Sequence, residues 1–123
     1  MSARVLVVDD SVAMRRLVCT TLRCEGFECI EASDGGEALD QLANQDVELV
    51  LTDQWMDGMG GLELTKAMKA AAHLRRIPVV VLTTDLAPER MQALRDAGAL
   101  GVLNKTVDPE VLARTIRRAV DAA

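Results

Sequence analysis

Three short apolar runs stand out along the chain: RVLVV from Arg4, ELVLT from Glu48 and IPVVVLT from Ile77. Each is too short for a helix and rich in Val and Leu. Their hydrophobicity is continuous rather than alternating, which is the pattern of strands covered on both faces, as in a parallel sheet wrapped by helices. Two weaker runs, FECIEA from Phe27 and LGVLN from Leu100, bring the count of predicted strands to five.

Between the runs the apolar period lengthens to that of a helix. Met14, Leu17, Val18, Thr21 and Leu22 fall on one face, with Ser11 placed to cap the helix and Gly26 to stop it. At the far end Asp108 caps, Pro109 takes the first helical position, and Leu112, Ile116 and Val120 form the buried stripe. The segments Gly35 to Asn44, Leu62 to Ala72 and Pro88 to Ala97 supply three further helices. Strand and helix thus alternate five times, which predicts an α/β fold, (βα)5, with a doubly wound five-stranded parallel sheet and right-handed crossovers.

In such sheets ligands gather outside the carboxyl ends of the strands, so the residues just after each apolar run carry the chemistry. Asp9 and Asp10 follow the first strand, Asp53 the third, Thr83 and Thr84 the fourth, and Lys105 lies near the end of the fifth. Singly, each has a plainer role: a helix cap for Asp9, Asp10 or Thr83, a loop position for Asp53, a surface lysine at Lys105. Together they form one complementary set. Three converging carboxylates raise one another's pKa unless a cation is present, and a few hard oxygen ligands with room for water suit Mg²⁺. A carboxylate beside such a metal suggests phosphoryl transfer through an acyl phosphate, with Lys105 and the metal neutralising charge and Thr83 donating to a phosphoryl oxygen. No glycine-rich loop follows the first strand, so this is not a nucleotide cradle.

Composition narrows the class. The 123 residues are 50% apolar, enough for one domain with a real core and too few for two. Fourteen Lys and Arg against nineteen Asp and Glu give a net charge of -5, which argues against nucleic acid as the partner. Arg114, Arg117 and Arg118 read as the wet face of a helix. No stretch approaches the roughly 20 apolar residues of a membrane span, and nothing near the start resembles a signal peptide, so a cytoplasmic chain is expected. Cys19, Cys24 and Cys29 lack metal or redox spacing and read as reduced, inert thiols.

The motifs VLVVDDSVAMRRLV, LVLTDQWMDGMGG, IPVVVLTTD and LNKT, spread over nearly the whole chain, resemble a response-regulator receiver domain, most of all the single-domain chemotaxis type. The resemblance implies a flavodoxin-like sheet in the order 2-1-3-4-5 and a single receiver domain over residues 1–123 without an output domain. It implies that Asp53 is the phosphoacceptor, taking its phosphoryl group from a histidine kinase or phosphotransfer protein. Asp10, Asp53 and the backbone carbonyl of Trp55 would bind Mg²⁺ directly and Asp9 through water, while Thr83 and Lys105 hold the phosphoryl oxygens. Thr84 and Asp85, which close the fourth-strand motif, fall among the modulating positions.

The departures from the family's pattern are specific. Its aromatic switch, three residues before the lysine, is Val102 here, and the proline after the lysine is Thr106, so the cis bond usual there is expected to be lost. Asp57 replaces another proline in a loop loosened by Gly58, Gly60 and Gly61. Trp55, two residues past the acceptor, either packs or lies half exposed, or screens the phosphoryl group from water. On this basis the chain is not a turnover enzyme. A monomeric switch is expected: phosphorylation alters a surface around Arg90, Leu94, Val102 and Arg114, on helix 4, strand 5 and helix 5, for a chemotaxis or flagellar-motor partner. The alternative is a phosphate sink or phosphorelay intermediate without a direct target. A hydrolytic phosphatase fits less well, since the position of its second aspartate is Trp55.

Overall fold

The computed structural model describes residues 2–122. Its elements run β1 (Arg4–Val8), α1 (Val12–Cys24), β2 (Glu28–Ala32), α2 (Gly35–Asn44), β3 (Leu49–Asp53), α3 (Gly61–Ala70), β4 (Val79–Thr83), α4 (Pro88–Ala97), β5 (Gly101–Asn104) and α5 (Pro109–Ala122). The strands form one parallel sheet in the order β2-β1-β3-β4-β5, the flavodoxin-like arrangement expected.

Continuous hydrophobicity has the cause assigned to it. β1, β3 and β4 are interior strands, and their alternate residues feed two separate cores. Val5, Val7, Leu49, Leu51, Val80 and Leu82 pack with Val18, Leu22, Leu112 and Ile116 of α1 and α5. Leu6, Val8, Val50, Val79 and Val81 meet Leu42, Leu64, Met68 and Leu94 of α2, α3 and α4 on the opposite face. The edge strands β2 and β5 are only half covered, which is why their sequences looked weaker.

Helix termini follow local chemistry. The Ser11 hydroxyl accepts from the Met14 N–H at 3.2 Å, and Asp34 and Asp108 accept from Glu37 and Glu110 N–H groups at 2.8 and 2.9 Å. After α1 the chain turns at Gly26, whose φ of +91° only glycine adopts without strain. That turn lets the Phe27 N–H donate to the Leu22 carbonyl, so Phe27 is buried just before β2 instead of opening the strand.

β3 and β5 likewise begin one residue inside their runs, at Leu49 and Gly101, and further expectations need correction. β4 begins at Val79, not Ile77, because Pro78 has no N–H to give a neighbouring strand; its carbonyl accepts from Val50. α3 begins at Gly61 and ends at Ala70, with Ala71 already extended at ψ 122°. Leu17 is not on the inner face of α1: it is 59% exposed, and Cys19 is buried in its place, because the helix is rolled to centre Val18, Cys19 and Leu22 on the sheet. Leu94 is fully buried in the core beneath α4, so it forms no part of an exposed recognition surface.

This rotation of α1 fixes an order of stability. Leu22→Ala should cost about 2–5 kcal/mol through a lost side chain and a residual cavity, while Leu17→Ala should stay within about 0.5 kcal/mol of the parent. Urea unfolding followed by circular dichroism measures both, and equal losses would contradict the packing described.

Candidate functional site

The carboxyl ends of β1, β3, β4 and β5 bring Asp9, Asp53, Thr83 and Lys105 to one edge of the sheet. Lys105 Nζ lies 2.8 Å from Asp53 Oδ2 and 3.2 Å from Asp9 Oδ2. Asp9 and Asp53 are buried, at 4% and 8% exposure, whereas Asp10 is exposed. One oxygen from each of Asp9, Asp10 and Asp53 lies within 4.8 Å of the others. Such a set of hard, negatively charged donors, open on the Asp10 side, fits a small oxygen-seeking divalent cation.

Each group is held by its backbone surroundings. Asp9 extends β1 by donating its N–H to the Ala32 carbonyl at 3.1 Å, and its Oδ1 accepts from Ser11 N–H at 2.9 Å. Arg15 clamps the same turn, giving NH1 to the Asp9 carbonyl at 2.7 Å while its Nε pairs with Glu31 at 2.9 Å. Asp9 is therefore both a turn-forming residue and a member of the cluster. Thr83 is fully buried; its hydroxyl donates to Gln54 Oε1 at 3.0 Å and accepts from the Asp85 N–H at 3.0 Å. Thr84 is exposed.

Behind Asp53 the glycines set how closely the chain can return. A Cβ on Gly61 would lie 2.4 Å from the Asp53 carbonyl oxygen, and one on Gly60 would lie 2.7 Å from that of Gln54. The Gly61 N–H also donates to the Gln54 carbonyl at 3.0 Å, so the start of α3 is seated directly on the end of β3. Gly60 and Gly61 are thus packing residues, and only Gly58, with φ +77°, is there for its conformational freedom. Asp57 is exposed on the same loop.

The lysine loop is shaped by Asn104, whose side chain accepts from the N–H and hydroxyl of Thr106 at 3.0 and 2.9 Å. No cis peptide occurs among the described residues, in keeping with Thr106 replacing proline. Val102 is half buried against the α2–α4 core. The Trp55 ring is 57% exposed, with the Arg90 guanidinium 5.7 Å from its centroid; Arg90 also pairs with Asp85 at 2.7 Å. Gln54, Asn104 and the Arg90 stack were not found from the sequence. An amide or a guanidinium has no telling spacing, and its partner is set by the fold.

Electrostatics at the site are balanced by opposition. Burial pushes the Asp53 carboxyl above its ordinary pKa, aided by the nearby Asp9 charge and resisted by Lys105 and the Gln54 N–H. Burial likewise works against the Lys105 charge, but Asp53 and Asp9 outweigh it and hold the ammonium above its usual value. A carboxyl whose pKa is raised by folding favours the fold while protonated and loses that contribution as pH rises through its folded value. Asp53→Asn should therefore raise Tm by about 2–5 °C at pH 7, with the gain vanishing near pH 3, where both side chains are neutral. Paired thermal melts across pH check this; a gain that grows toward acid would reverse the assigned sign. Lys105→Met should do the opposite at pH 7, leaving two buried carboxylates without their cation at a cost of about 3–5 kcal/mol in chemical denaturation.

Comparison with known proteins places this geometry. Residues 5–117 match the response regulator receiver domain family. The chain is 36% identical to chemotaxis protein CheY1 of Helicobacter pylori over 111 residues, covering 89% of this chain and 90% of that one. It is 34% identical over 110 residues to the CAI-1 autoinducer sensor kinase/phosphatase CqsS of Vibrio cholerae, covering 89% of this chain but only 16% of that protein. Among solved structures, chemotaxis response regulator CheY4 of Vibrio cholerae superposes with a TM-score of 0.90 at 36% identity, covering 97% of this chain and 99% of that one.

Proposed function

The chain belongs to the response regulator receiver family, and from that premise we propose that Asp53 accepts a phosphoryl group from a phosphohistidine donor and thereby switches a surface read by a protein partner. The observation that carries this reading is the Lys105 ammonium bridging Asp53 and Asp9 at the carboxyl edge of the sheet, with Asp10 completing the acidic set. Within it the chain acts as a single receiver unit and a stoichiometric acceptor rather than a turnover enzyme.

The residues divide the work. An Asp53 carboxylate oxygen attacks phosphorus; the new O–P bond forms as the donor's N–P bond breaks, and the departing imidazole nitrogen keeps the electron pair and takes up a proton. Lys105 neutralises the oxygens of the transferred group, and Thr83, once its hydroxyl is turned to the site, donates to one of them. Asp10, Asp53 and the Trp55 carbonyl would hold Mg²⁺, with Asp9 behind them through water; when bound, the ion supplies further charge neutralisation for the phosphoryl oxygens. Ser11 and Arg15 keep the Asp9 turn in place throughout.

Likeness to chemotaxis proteins supports a chemotaxis or flagellar-motor partner meeting α4, β5 and α5, where Arg90 and Arg114 are exposed and Val102 half buried. One observation favours a phosphate sink or relay intermediate instead: Val102 has no ring to couple to Thr83 in the usual way. Asp57 and Thr106 modulate the site by charge and loop stiffness, and the exposed Trp55 ring slows loss of the phosphoryl group by shielding it.

With Mg²⁺ and a small phosphodonor the chain should gain one phosphoryl group, lost on acid or base treatment as acyl phosphates are, and Asp53→Asn should gain none. Intact mass spectrometry reads the result; full modification of Asp53→Asn would end the assignment. Trp55→Ala should shorten the lifetime of the phosphorylated form severalfold in a phosphate-release assay, and an unchanged rate would remove the shielding role.

A further inference from the structure

The Thr83 hydroxyl has one proton, and in this structure that proton is committed. Thr83 Oγ1 donates to Gln54 Oε1 at 3.0 Å, while its acceptor side already takes the Asp85 N–H at 3.0 Å. Thr83 is wholly buried and Gln54 nearly so, at 6% exposure, so no water competes freely for either group. Gln54 directly follows Asp53, and its carbonyl is pinned by the Gly61 N–H, which fixes the origin of its side chain against the start of α3.

We propose that Gln54 is a positioning residue that latches Thr83 in the resting state: its side-chain carbonyl holds the hydroxyl proton that a phosphoryl group on Asp53 needs, so the two hydrogen bonds exclude one another. The latch rests on the phosphoacceptor reading of Asp53 and deepens it. Phosphorylation must break the Thr83–Gln54 bond and leave a buried amide oxygen to find another donor, which lowers the affinity of the site for the modified state. The release has a path outward. Thr83 anchors the Asp85 backbone, Asp85 Oδ2 accepts from Arg90 NH1 at 2.7 Å, and Arg90 lies over the Trp55 ring 5.7 Å away. Turning Thr83 therefore disturbs a chain of contacts that joins the β4–α4 segment to the loop after β3, using residues this chain has in place of an aromatic on β5.

The test uses beryllofluoride, which mimics a phosphoryl group on a carboxylate, with Mg²⁺ and the full chain. Gln54→Met keeps the length of the side chain and removes the acceptor. It should tighten beryllofluoride binding about two- to tenfold, the worth of one net hydrogen bond, read from Trp55 fluorescence. In a Thr83→Val background the same substitution should give no gain, because the proton in dispute is gone. In the unaltered chain, the Gln54 side-chain amide signals should move when beryllofluoride is added, a measurement that stands even if Gln54→Met folds poorly. Unchanged or weaker binding by folded Gln54→Met, an undiminished gain beside Thr83→Val, or unmoved Gln54 amide signals would each overturn the latch. Failure of the underlying reading looks different: the unaltered chain would not bind beryllofluoride, or Asp53→Asn would bind it equally well.

Discussion

Two carboxylates withdrawn from water, Asp9 and Asp53, share a single ammonium, that of Lys105. Each comes from a different strand, and the cation comes from a third on the far side of β4, so the balance exists only when β1, β3 and β5 are in register. Burial favours the neutral form of the Asp53 carboxyl, and the Lys105 ammonium works against it. The local devices of the site serve that arrangement: the Ser11 and Arg15 contacts that turn Asp9 inward, the close return of Gly61 against Asp53, and the Asn104 turn that presents Lys105. The fold can be viewed as scaffolding for one shared charge.

Under the phosphoacceptor role proposed for Asp53, the same logic lets the site both attract and resist modification. A buried acceptor next to a cation is poised for a dianionic group, yet the neighbouring carboxylates oppose that group until more positive charge arrives. Thr83 adds a second restraint of another kind, being engaged with Gln54 before any phosphoryl group appears. Charge sets the first condition and hydrogen bonding the second.

Much of this was legible in the sequence because the relevant signals are local. Continuous Val-rich runs gave the interior strands, and the polar residue ending each run gave Asp9, Asp53, Thr83 and Lys105. Where reading failed, the answer depended on how elements are rotated against each other. The period of α1 placed Leu17 and Val18 on one stripe, but packing on the sheet chose Val18, Cys19 and Leu22. In α4 the weak periodicity concealed that Leu94 is the residue it buries. Gln54 was passed over for a related reason: an amide between an acidic residue and a tryptophan carries no period, and only the return of β4 beside β3 gives it Thr83 as a partner.

Trp55, on the loop after β3, and Arg90, in the first turn of α4, are joined by a guanidinium-over-indole contact. A salt bridge between the same two segments would demand one geometry and weaken with ionic strength. A guanidinium over an indole face tolerates sideways travel, because the ring presents a broad attractive surface and part of the contact is dispersion. The loop after β3 and the start of α4 are thus coupled as by a sliding joint rather than a pin: they can shift in plane by small amounts without parting, and graded displacement, not an all-or-none break, is the natural response of that contact.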